Sequence, residues 1–320
     1  MMKRTTLPLA LVLLVIGASV ASAQDVVIAT SNPGNFLHST GSAIAKVVSE
    51  KTGTRATVQP YASATVYFPG VNSGDIPFGI ASITDVLYAY NGLDYFAGRK
   101  HSNLRVVAIL YPMRNAIFVK KSSAIVKVAD LKGHPMPDGY TSQKIIPPSL
   151  DAIYATAGLS RKDMKPVMVP NAGAGADAFM AGKVDGFWFA AGSAKVREAD
   201  AAVGGVRVIK VENTPQNAAI IAKHMPGMYL RLEQPGPDNP GFLEPGYSLA
   251  YDTIIFANAK VPDDEVYKVA KAIYENKADL TSTFSSFALM EQKAMAKQTP
   301  IPYHPGAIKF YKEKGIWPGK

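Results

Sequence analysis

Small polar residues follow the first apolar run after the N-terminal segment, and their spacing suits the binding of an anion. Val26–Ala29 is bounded by turn-forming residues, which favours a buried parallel strand over a helix. Asn32-Pro33-Gly34 ends regular structure, and a helical pattern starts near Ser39. This order aims free backbone N–H groups and a partial positive charge at the loop. The segment therefore predicts one wall of a cleft for a small anionic molecule.

The next two predicted strands, Arg55–Tyr61 and Pro77–Ile83, are also each followed by a polar loop and a predicted helix. Loops at the carboxyl ends of parallel strands are where such sheets bind ligands. The candidate ligand contacts in this part of the chain are hydroxyl, amide and aromatic side chains: Ser31, Asn32, Phe36, Tyr61, Ser63, Thr65, Ser82 and Thr84. Two simpler roles compete with this hypothesis, because Asn-Pro-Gly forms a turn on its own and a Ser or Thr before a helix commonly caps it.

A second group of candidates lies in the middle of the chain. The polar ones precede a predicted helix and are Thr141, Ser142 and Gln143. They could hold a carboxylate through hydroxyl and N–H groups, with helix capping as the alternative. Farther on, Phe189 lies in the predicted strand Gly186–Ala190 and could stack on a ligand, with Gly192 allowing close approach; a place in the core is the alternative for this aromatic run.

Two arginines are candidates for a carboxylate clamp, because a guanidinium is the natural bidentate partner of a carboxylate. Arg114 follows Tyr111-Pro112 at the expected crossing between two lobes, whereas Arg197 lies a few residues beyond Gly192. Most arginines are solvated, which is the competing interpretation for both. The position of Arg114 favours it as the clamp.

Several kinds of chemistry lack the residues they need. Cysteine is absent, which excludes thiol catalysis, disulfides and thiolate metal sites. The histidines lack the spacing of a metal site, so we expect no bound metal and a structural role for His304. Gly173–Ala178 matches the dinucleotide pattern G-x-G-x-x-A, but a glycine-containing helix start explains it as well, and no cofactor is predicted.

The charge of the chain points to small anions rather than to nucleic acid. The formal net charge is +9, from 34 Lys and Arg against 25 Asp and Glu. The basic residues are scattered and form no long run, which disfavours a nucleic-acid surface. No G-x-S-x-G motif and no P-loop occur, so no motif indicates a hydrolase.

The start of the chain has the three parts of an export signal. Lys3-Arg4 supplies charge, Leu7–Val20 is apolar, and Ala21–Ala23 offers small residues for cleavage after Ala23. An uncleaved anchor is the alternative, but the apolar run is short for a membrane span. We therefore predict an exported, soluble protein that begins at Gln24.

The elements that must position these residues alternate between strand and helix, which argues for parallel, doubly wound sheets. The chain is longer than one core usually serves, so two lobes are expected. Residues 24–112 and about 212–320 are predicted to form the first lobe, and residues 113–211 the second. Pro112 is expected to separate two strands, Leu104–Tyr111 and Ala116–Lys120, and Phe284–Lys297 shows helical periodicity.

Several short motifs, in this order, resemble the TAXI family of solute receptors of TRAP transporters. They cover most of the chain and are Ile28–Thr30 with the Asn-Pro-Gly loop, Asn72–Asp75, Phe78–Ala81, Ala89–Gly92, Leu110–Pro112, Asp130–Gly133, Ala181–Gly186 and Tyr303–Gly315. Leu37-His38 and Asp138–Gln143 depart from the family's usual loops, which carry paired tyrosines and Gly/Ser/Thr-rich sequences.

The resemblance implies a type II-like periplasmic binding protein with two α/β lobes, each a mostly parallel sheet flanked by helices, joined by hinge strands. It implies that lobe closure captures a small carboxylate, such as glutamate or 2-oxoglutarate, for delivery to a TRAP-type membrane permease. It further implies a monomeric periplasmic receptor without enzymatic activity. A ligand-sensing subunit for a membrane histidine kinase and an exported hydrolase are the alternatives.

Overall fold

The computed structural model describes residues 25–33 and 35–318, with the exception of the Ala64 side chain. The predicted export signal (residues 1–23), the predicted first mature residue Gln24, and Gly34 of the first loop lie outside the described residues. None of the helices in the described ranges has both the length and the apolar character needed to cross a bilayer.

Strands and helices alternate along most of the chain. The strands are β1 (Val26–Ser31), β2 (Ala56–Tyr61), β3 (Phe78–Ser82), β4 (Leu104–Lys120), β5 (Pro135–Gly139), β6 (Lys165–Val169), β7 (Gly186–Ala190), β8 (Val206–Val208), β9 (Met228–Glu233) and β10 (Gly246–Asn258). The α-helices are α1 (Phe36–Thr52), α2 (Ala64–Ser73), α3 (Ile83–Asn91), α4 (Ile146–Ala155), α5 (Ala172–Met180), α6 (Ala194–Val203), α7 (Pro215–His224), α8 (Asp263–Glu275), α9 (Lys277–Thr283) and α10 (Pro305–Glu313).

The first lobe is built around β1, which lies between β2 and β3. It pairs with both in parallel, so that Ile28 is opposite Val58 and Phe78. The strand is buried along nearly its whole length, as expected for a parallel strand covered by helices. Helix α1 packs so closely on this sheet that a Cβ on Gly41 would collide with Cγ2 of Thr30. Only glycine allows this approach, which holds the start of α1 beside the end of β1.

Two long antiparallel strands, β4 and β10, connect the two halves of the sheet. They pair from Leu104 opposite Asn258 to Asn115 opposite Leu249. β10 also pairs with β3 of the first lobe, whereas β4 continues beyond this region and pairs with β7. The two strands are therefore the hinge strands that the sequence led us to expect.

The expected break at Pro112 is wrong, because β4 continues unbroken through this residue. Pro112 is opposite Asp252 of β10, and pairing with β7 on the other side of β4 begins only at Asn115. Proline cannot donate a backbone hydrogen bond, so it is tolerated where one side of a strand has no neighbour. The hinge strand has such an unpaired side between the two lobes.

The second lobe has a buried cluster that is separate from the main core. β7 and β8 pair antiparallel with β4, and β5 and β6 form a separate parallel pair. Phe118, Phe179 and Phe187 form a cluster with residues of α5 and α6, apart from the main core. The predicted two-lobed α/β architecture is thus confirmed, although the main sheet is mixed rather than mostly parallel.

The lobe boundaries at residues 112/113 and 211/212 stay a prediction. Helix α7 packs against α4 of the second lobe, and Ser149 of α4 touches the sulfur of Met228 just after α7. These contacts favour a later return of the chain to the first lobe than residue 212.

The expected helix over Phe284–Lys297 is wrong, because two 3₁₀ turns, Ser285–Leu289 and Gln292–Ala296, take its place. Phe287 is buried with its ring edge-on to Tyr111, at 4.9 Å between ring centroids. These tertiary contacts of the aromatic side chains override the local helical periodicity.

Glu265, in the first turn of α8, carries an electrostatic cost of folding. Its side chain is buried, and Oε1 has no hydrogen-bond partner among the described residues. Burial, with a smaller contribution from Asp264, raises the pKa of Glu265 from its ordinary 4.5 to about 7. Because the folded state then holds the proton more tightly than the unfolded state, stability falls as pH rises from 4.5 to about 7.

Glu265→Gln should remove this cost, because the amide stays neutral at every pH. At pH 8 we expect the variant to melt about 2–4 °C above the parent, as for a gain near 1 kcal/mol. At pH 4.5 the two should melt together, as scanning calorimetry can show. Glu275→Gln, which replaces a partly exposed partner of Lys314 on the same helix, is the control and should show no such gain. An equal gain at both pH values would contradict the assignment.

Candidate functional site

The carboxyl ends of β1, β2 and β3 meet at one edge of the first lobe. Ser31, the last residue of β1, is opposite Tyr61, the last residue of β2. Ser82, the last residue of β3, is opposite Thr253 of β10, which is opposite Tyr111 of β4. The loops that carry the predicted contacts therefore begin side by side, next to the hinge strands.

Strand β7 brings the second lobe to the same place. It runs antiparallel to β4, so its last residue, Ala190, is opposite Asn115. The next residue, Ala191, donates its N–H to the Arg114 carbonyl at 2.7 Å. On β4, only residues 112–114 lie between Tyr111, where the first-lobe strands end, and Asn115, where β7 ends. The strand ends of both lobes therefore face one short stretch of the hinge. This is the geometry of a cleft between lobes.

A small cavity beside the hinge does not serve as the ligand site. It is lined by residues that include Asn115, Trp188 and Leu249 and holds about 10 Å³, the room of one water molecule. A cavity of this volume is too small for an organic acid.

Helices α1 and α2 begin at the strand ends without a side-chain cap. Asn35 precedes α1 and makes no capping hydrogen bond. Ser63 precedes α2, and its hydroxyl is paired with the Thr65 hydroxyl at 2.8 Å rather than with the helix backbone. Neither helix has an acidic residue in its first turn. Both therefore present N–H groups and a positive dipole end toward the loops.

The candidates on β1 and β2 differ in their exposure. Ser31 is buried, and its hydroxyl oxygen has no partner within the described residues. Asn32 is exposed in the loop that follows. Tyr61 is half-buried, with its ring 5.6 Å from that of Tyr67. The fold brings these three residues together, and their contact with a ligand stays a prediction.

Phe36, the first residue of α1, packs against other aromatic side chains. Its ring lies edge-on to Tyr111 and Phe284, at centroid distances of 5.7 and 5.2 Å. It therefore fixes the start of α1 against the core. The structure gives it this packing role, and its predicted contact with the ligand is untested.

The polar side chains at the end of β3 form hydrogen bonds within the chain. The Ser82 hydroxyl caps α3 by accepting the Asp85 N–H at 2.9 Å, and it donates to the Asp85 carboxylate at 2.7 Å. Burial raises the pKa of Asp85. Thr84 donates its hydroxyl to the Pro226 carbonyl at 3.0 Å. The capping alternative thus describes Ser82, and Thr84 holds the connection between α7 and β9 on the first lobe.

Two of the three polar side chains predicted to contact the ligand from the second lobe form hydrogen bonds within the chain. Thr141 is exposed, but Ser142 donates its hydroxyl to the Pro170 carbonyl at 2.8 Å. The Gln143 side chain accepts the N–H of Ala172, the first residue of α5, at 2.8 Å. These bonds tie the loop after β5 to the start of α5. Thr141 and Ser142 are both exposed to solvent.

Phe189 and Gly192 both pack against other residues of the chain. Phe189 lies partly buried beside Phe187, with 6.3 Å between ring centroids. Gly192 has a positive φ of 75°, and a Cβ there would lie 2.6 Å from the Asp238 carbonyl oxygen. The close approach predicted at Gly192 is therefore made by the chain itself.

Arg114, the predicted carboxylate clamp, forms hydrogen bonds within the chain, and its contact with a ligand stays a prediction. Its Nη1 donates to the Glu233 carboxylate at 2.9 Å and to the Asn239 side chain at 2.6 Å. Glu233 is 2% exposed and also accepts from Arg231 and Ser248. A buried carboxylate needs such partners, so Arg114 neutralises a residue that lies 119 positions away in the sequence. Sequence reasoning missed Glu233 because no local pattern connects the two.

The remaining sequence candidates have structural roles. Gly173–Ala178 lies inside α5, which is capped by Asn171 through the N–H of Ala174 at 2.9 Å. His304 is buried and accepts the Gly306 N–H with Nδ1 at 3.2 Å, which caps α10.

Among residues 25–33 and 35–318, no group of three or more His, Asp or Glu is arranged to hold a metal ion. Arg197, the other clamp candidate, is exposed on α6.

Comparison with known proteins gives one family and a consistent fold. The model of the NMT1-like family matches residues 28–315. A binding-protein component of an ABC phosphonate transporter from Pseudomonas aeruginosa superposes with a TM-score of 0.52 at 10% identity, over 83% of this chain and 80% of that one. A TctC solute-binding protein from Polaromonas gives 0.51 at 14% identity, over 82% and 88%. A putative periplasmic sulfonate-binding protein, SsuA, from Methylobacillus flagellatus gives 0.50 at 16% identity, over 92% and 88%. The likeness shows the two-lobed fold of periplasmic binding proteins.

Arg114→Ala should act on stability rather than on binding. Removing one partner of the buried Glu233 should cost about 2–4 kcal/mol of unfolding free energy, measured by denaturant titration. The affinity for an acid ligand, measured by calorimetry well below the melting temperature, should change little. Arg197→Ala, at an exposed position, is the control and should leave both quantities unchanged. A tenfold loss of affinity at unchanged stability would restore Arg114 as the clamp.

Thr84→Val should likewise report a structural bond. The variant keeps the shape of the side chain but loses the bond to the Pro226 carbonyl, which should cost about 1 kcal/mol of stability. Thr84→Ser keeps the hydroxyl and should retain most of it. If the valine variant loses ligand affinity while its denaturation curve stays in place, Thr84 contacts the ligand instead.

Proposed function

This chain belongs to the NMT1-like family, and we propose that it is an extracytoplasmic receptor that binds a small organic acid between its two lobes. One observation carries the proposal: the strand ends of both lobes face residues 112–114 of the hinge. Ligands of open α/β sheets bind at the carboxyl ends of the strands. The uncapped starts of α1 and α2 favour an anion at that place.

Binding and closure follow from the hinge. A ligand that touches both lobes has more contacts in the closed state than in the open one, and this difference in affinity is what shifts the equilibrium toward closure. The crossing strands β4 and β10 can absorb such a rotation because they alone form the continuous sheet between the lobes in the described part of the chain. The closed receptor would then present one surface to a membrane partner.

The finer assignment rests on the motifs of the sequence. Their order resembles the TAXI receptors, which supports a small carboxylate such as glutamate or 2-oxoglutarate as ligand and a TRAP-type permease as partner. The predicted export signal supports a periplasmic location. Two of the similar structures are named for phosphonate and sulfonate transport by ABC transporters. An ABC permease is therefore the alternative partner, and phosphonates and sulfonates are alternative ligands.

A thermal-shift screen of defined acids tests the proposal. Dicarboxylates, acidic amino acids, aromatic acids, alkylsulfonates and alkylphosphonates should each be added to the full mature chain. We expect a dicarboxylate or acidic amino acid to raise the melting temperature by several degrees, because a ligand at a hundred times its Kd adds about 2.7 kcal/mol. Isothermal titration should then show one site per chain.

Other outcomes separate the alternatives. Shifts from aromatic acids alone would contradict the dicarboxylate assignment, and shifts from none of the acids would contradict the receptor. Turnover of a generic ester would support the exported hydrolase. If an acid binds, uptake into vesicles that contain a candidate permease distinguishes transport from sensing through a histidine kinase.

A further inference from the structure

We infer that the acid group of the ligand is held on the α2 side of the first lobe, by the Ser31 hydroxyl together with Ser63, Thr65 and the N-terminus of α2. No arginine takes part. This inference rests on the proposed function and names the part of the cleft that recognises the charge.

The direction of the Ser31 side chain follows from its neighbour. Thr30 faces α1, since its Cγ2 lies against Gly41 and its hydroxyl is 3.2 Å from Nδ1 of His38. Successive residues of a strand point to opposite faces of the sheet. Ser31 therefore points away from α1, to the face that α2 covers.

Tyr61 confirms which helix covers that face. It is opposite Ser31 in a parallel pair, so the two side chains leave the sheet on the same side. The ring of Tyr61 packs beside Tyr67 of α2, and the Tyr67 hydroxyl donates to the Ile80 carbonyl of β3 at 2.5 Å. The Ser31 hydroxyl is thus directed to the side of the sheet where α2 begins.

The Ser31 hydroxyl lacks a partner that its environment would normally supply. The residue is 7% exposed, and its oxygen makes no hydrogen bond within the described residues. A buried hydroxyl without a hydrogen bond costs free energy. At the end of a strand beside a cleft, a ligand oxygen is the partner that would remove this cost.

The start of α2 supplies the remaining donors. Ser63 and Thr65 are half-buried, and their hydroxyls bond to each other, so neither caps the first-turn N–H groups. The ten-residue helix Ala64–Ser73 has no acidic residue in its first turn. Hydroxyl and N–H donors beside a helix N-terminus suit an oxyanion of low charge.

The neighbouring positions are less suited to an anion. The start of α3 is capped by Ser82 and carries the Asp85 carboxyl group in its first turn. Arg114, the predicted clamp, is paired with Glu233. Of the three strand ends in the first lobe, those of β1 and β2 therefore offer donors without a competing carboxylate. We assign a carboxylate, the acid of the proposed function, to this place.

Ser31→Ala tests the assignment with two readouts. Because its oxygen makes no hydrogen bond to any described residue, the variant should be at least as stable as the parent without ligand, as judged by denaturant titration. Its affinity for L-glutamate or 2-oxoglutarate, whichever the parent binds, should fall about tenfold or more. Thr253→Val is the matched control. Thr253 also has a buried hydroxyl without a partner among the described residues, but it is opposite Tyr111, whose hydroxyl bonds to Thr40 of α1, so it lies on the face of the sheet that α1 covers. This variant should bind as the parent does.

A second variant and a ligand series complete the test. Thr65→Val removes a donor at the half-buried start of α2 and should also weaken binding, by a smaller factor. Sulfonate and phosphonate analogues of the bound acid should lose affinity in Ser31→Ala if they use the same subsite, and a neutral amide analogue should bind weakly to parent and variant alike. If the parent binds the acid and both variants bind it within twofold of the parent, the inference is wrong while the receptor stands. If the parent binds no acid, the proposed function itself fails.

Discussion

The pairing of β4 with β10 is the constraint on which the rest of the structure depends. These strands stay paired from one lobe to the other. Their register therefore determines where along the hinge β3 of the first lobe and β7 of the second lobe end. Every candidate contact in the cleft follows from that level. The pairing also explains why Pro112 is tolerated, because the hinge strand has no second neighbour where the lobes part.

Buried charge around the hinge is satisfied by the chain itself. Arg114 and Arg231 neutralise Glu233, and Lys297 pairs with Asp252 at 2.8 Å, where the Tyr229 hydroxyl also donates. Such pairs hold strands in one register because breaking them leaves an unpaired charge in the interior. The polar groups left near the hinge include hydroxyls, backbone N–H groups and the side-chain amide nitrogen of Asn115, which has no partner among the described residues. This division separates the parts that hold the hinge from the parts that bind.

The fold class could be predicted from the sequence because it depends on local patterns, whereas the position of the ligand cleft stays a prediction. The strands predicted at Val26–Ala29 and Gly186–Ala190 agree with the observed strands to within two residues. β5, α6, α7, β9 and α9 were not predicted. Phe284–Lys297 was assigned to a helix, which is wrong because aromatic packing on Tyr111 determines its structure. The Arg114–Glu233 pair and the bonds of Ser142 and Gln143 join distant segments, so no local pattern could show which polar side chains the chain would engage.

The most direct test of the account is hydrogen–deuterium exchange with and without a bound acid. Binding between the lobes predicts slower exchange in segments of both lobes, residues 31–36 and 61–66 of the first and residues 139–145 and 190–193 of the second, together with the hinge at 112–114. Slower exchange confined to one lobe, or located at the opposite ends of the strands, would contradict a cleft at the strand ends.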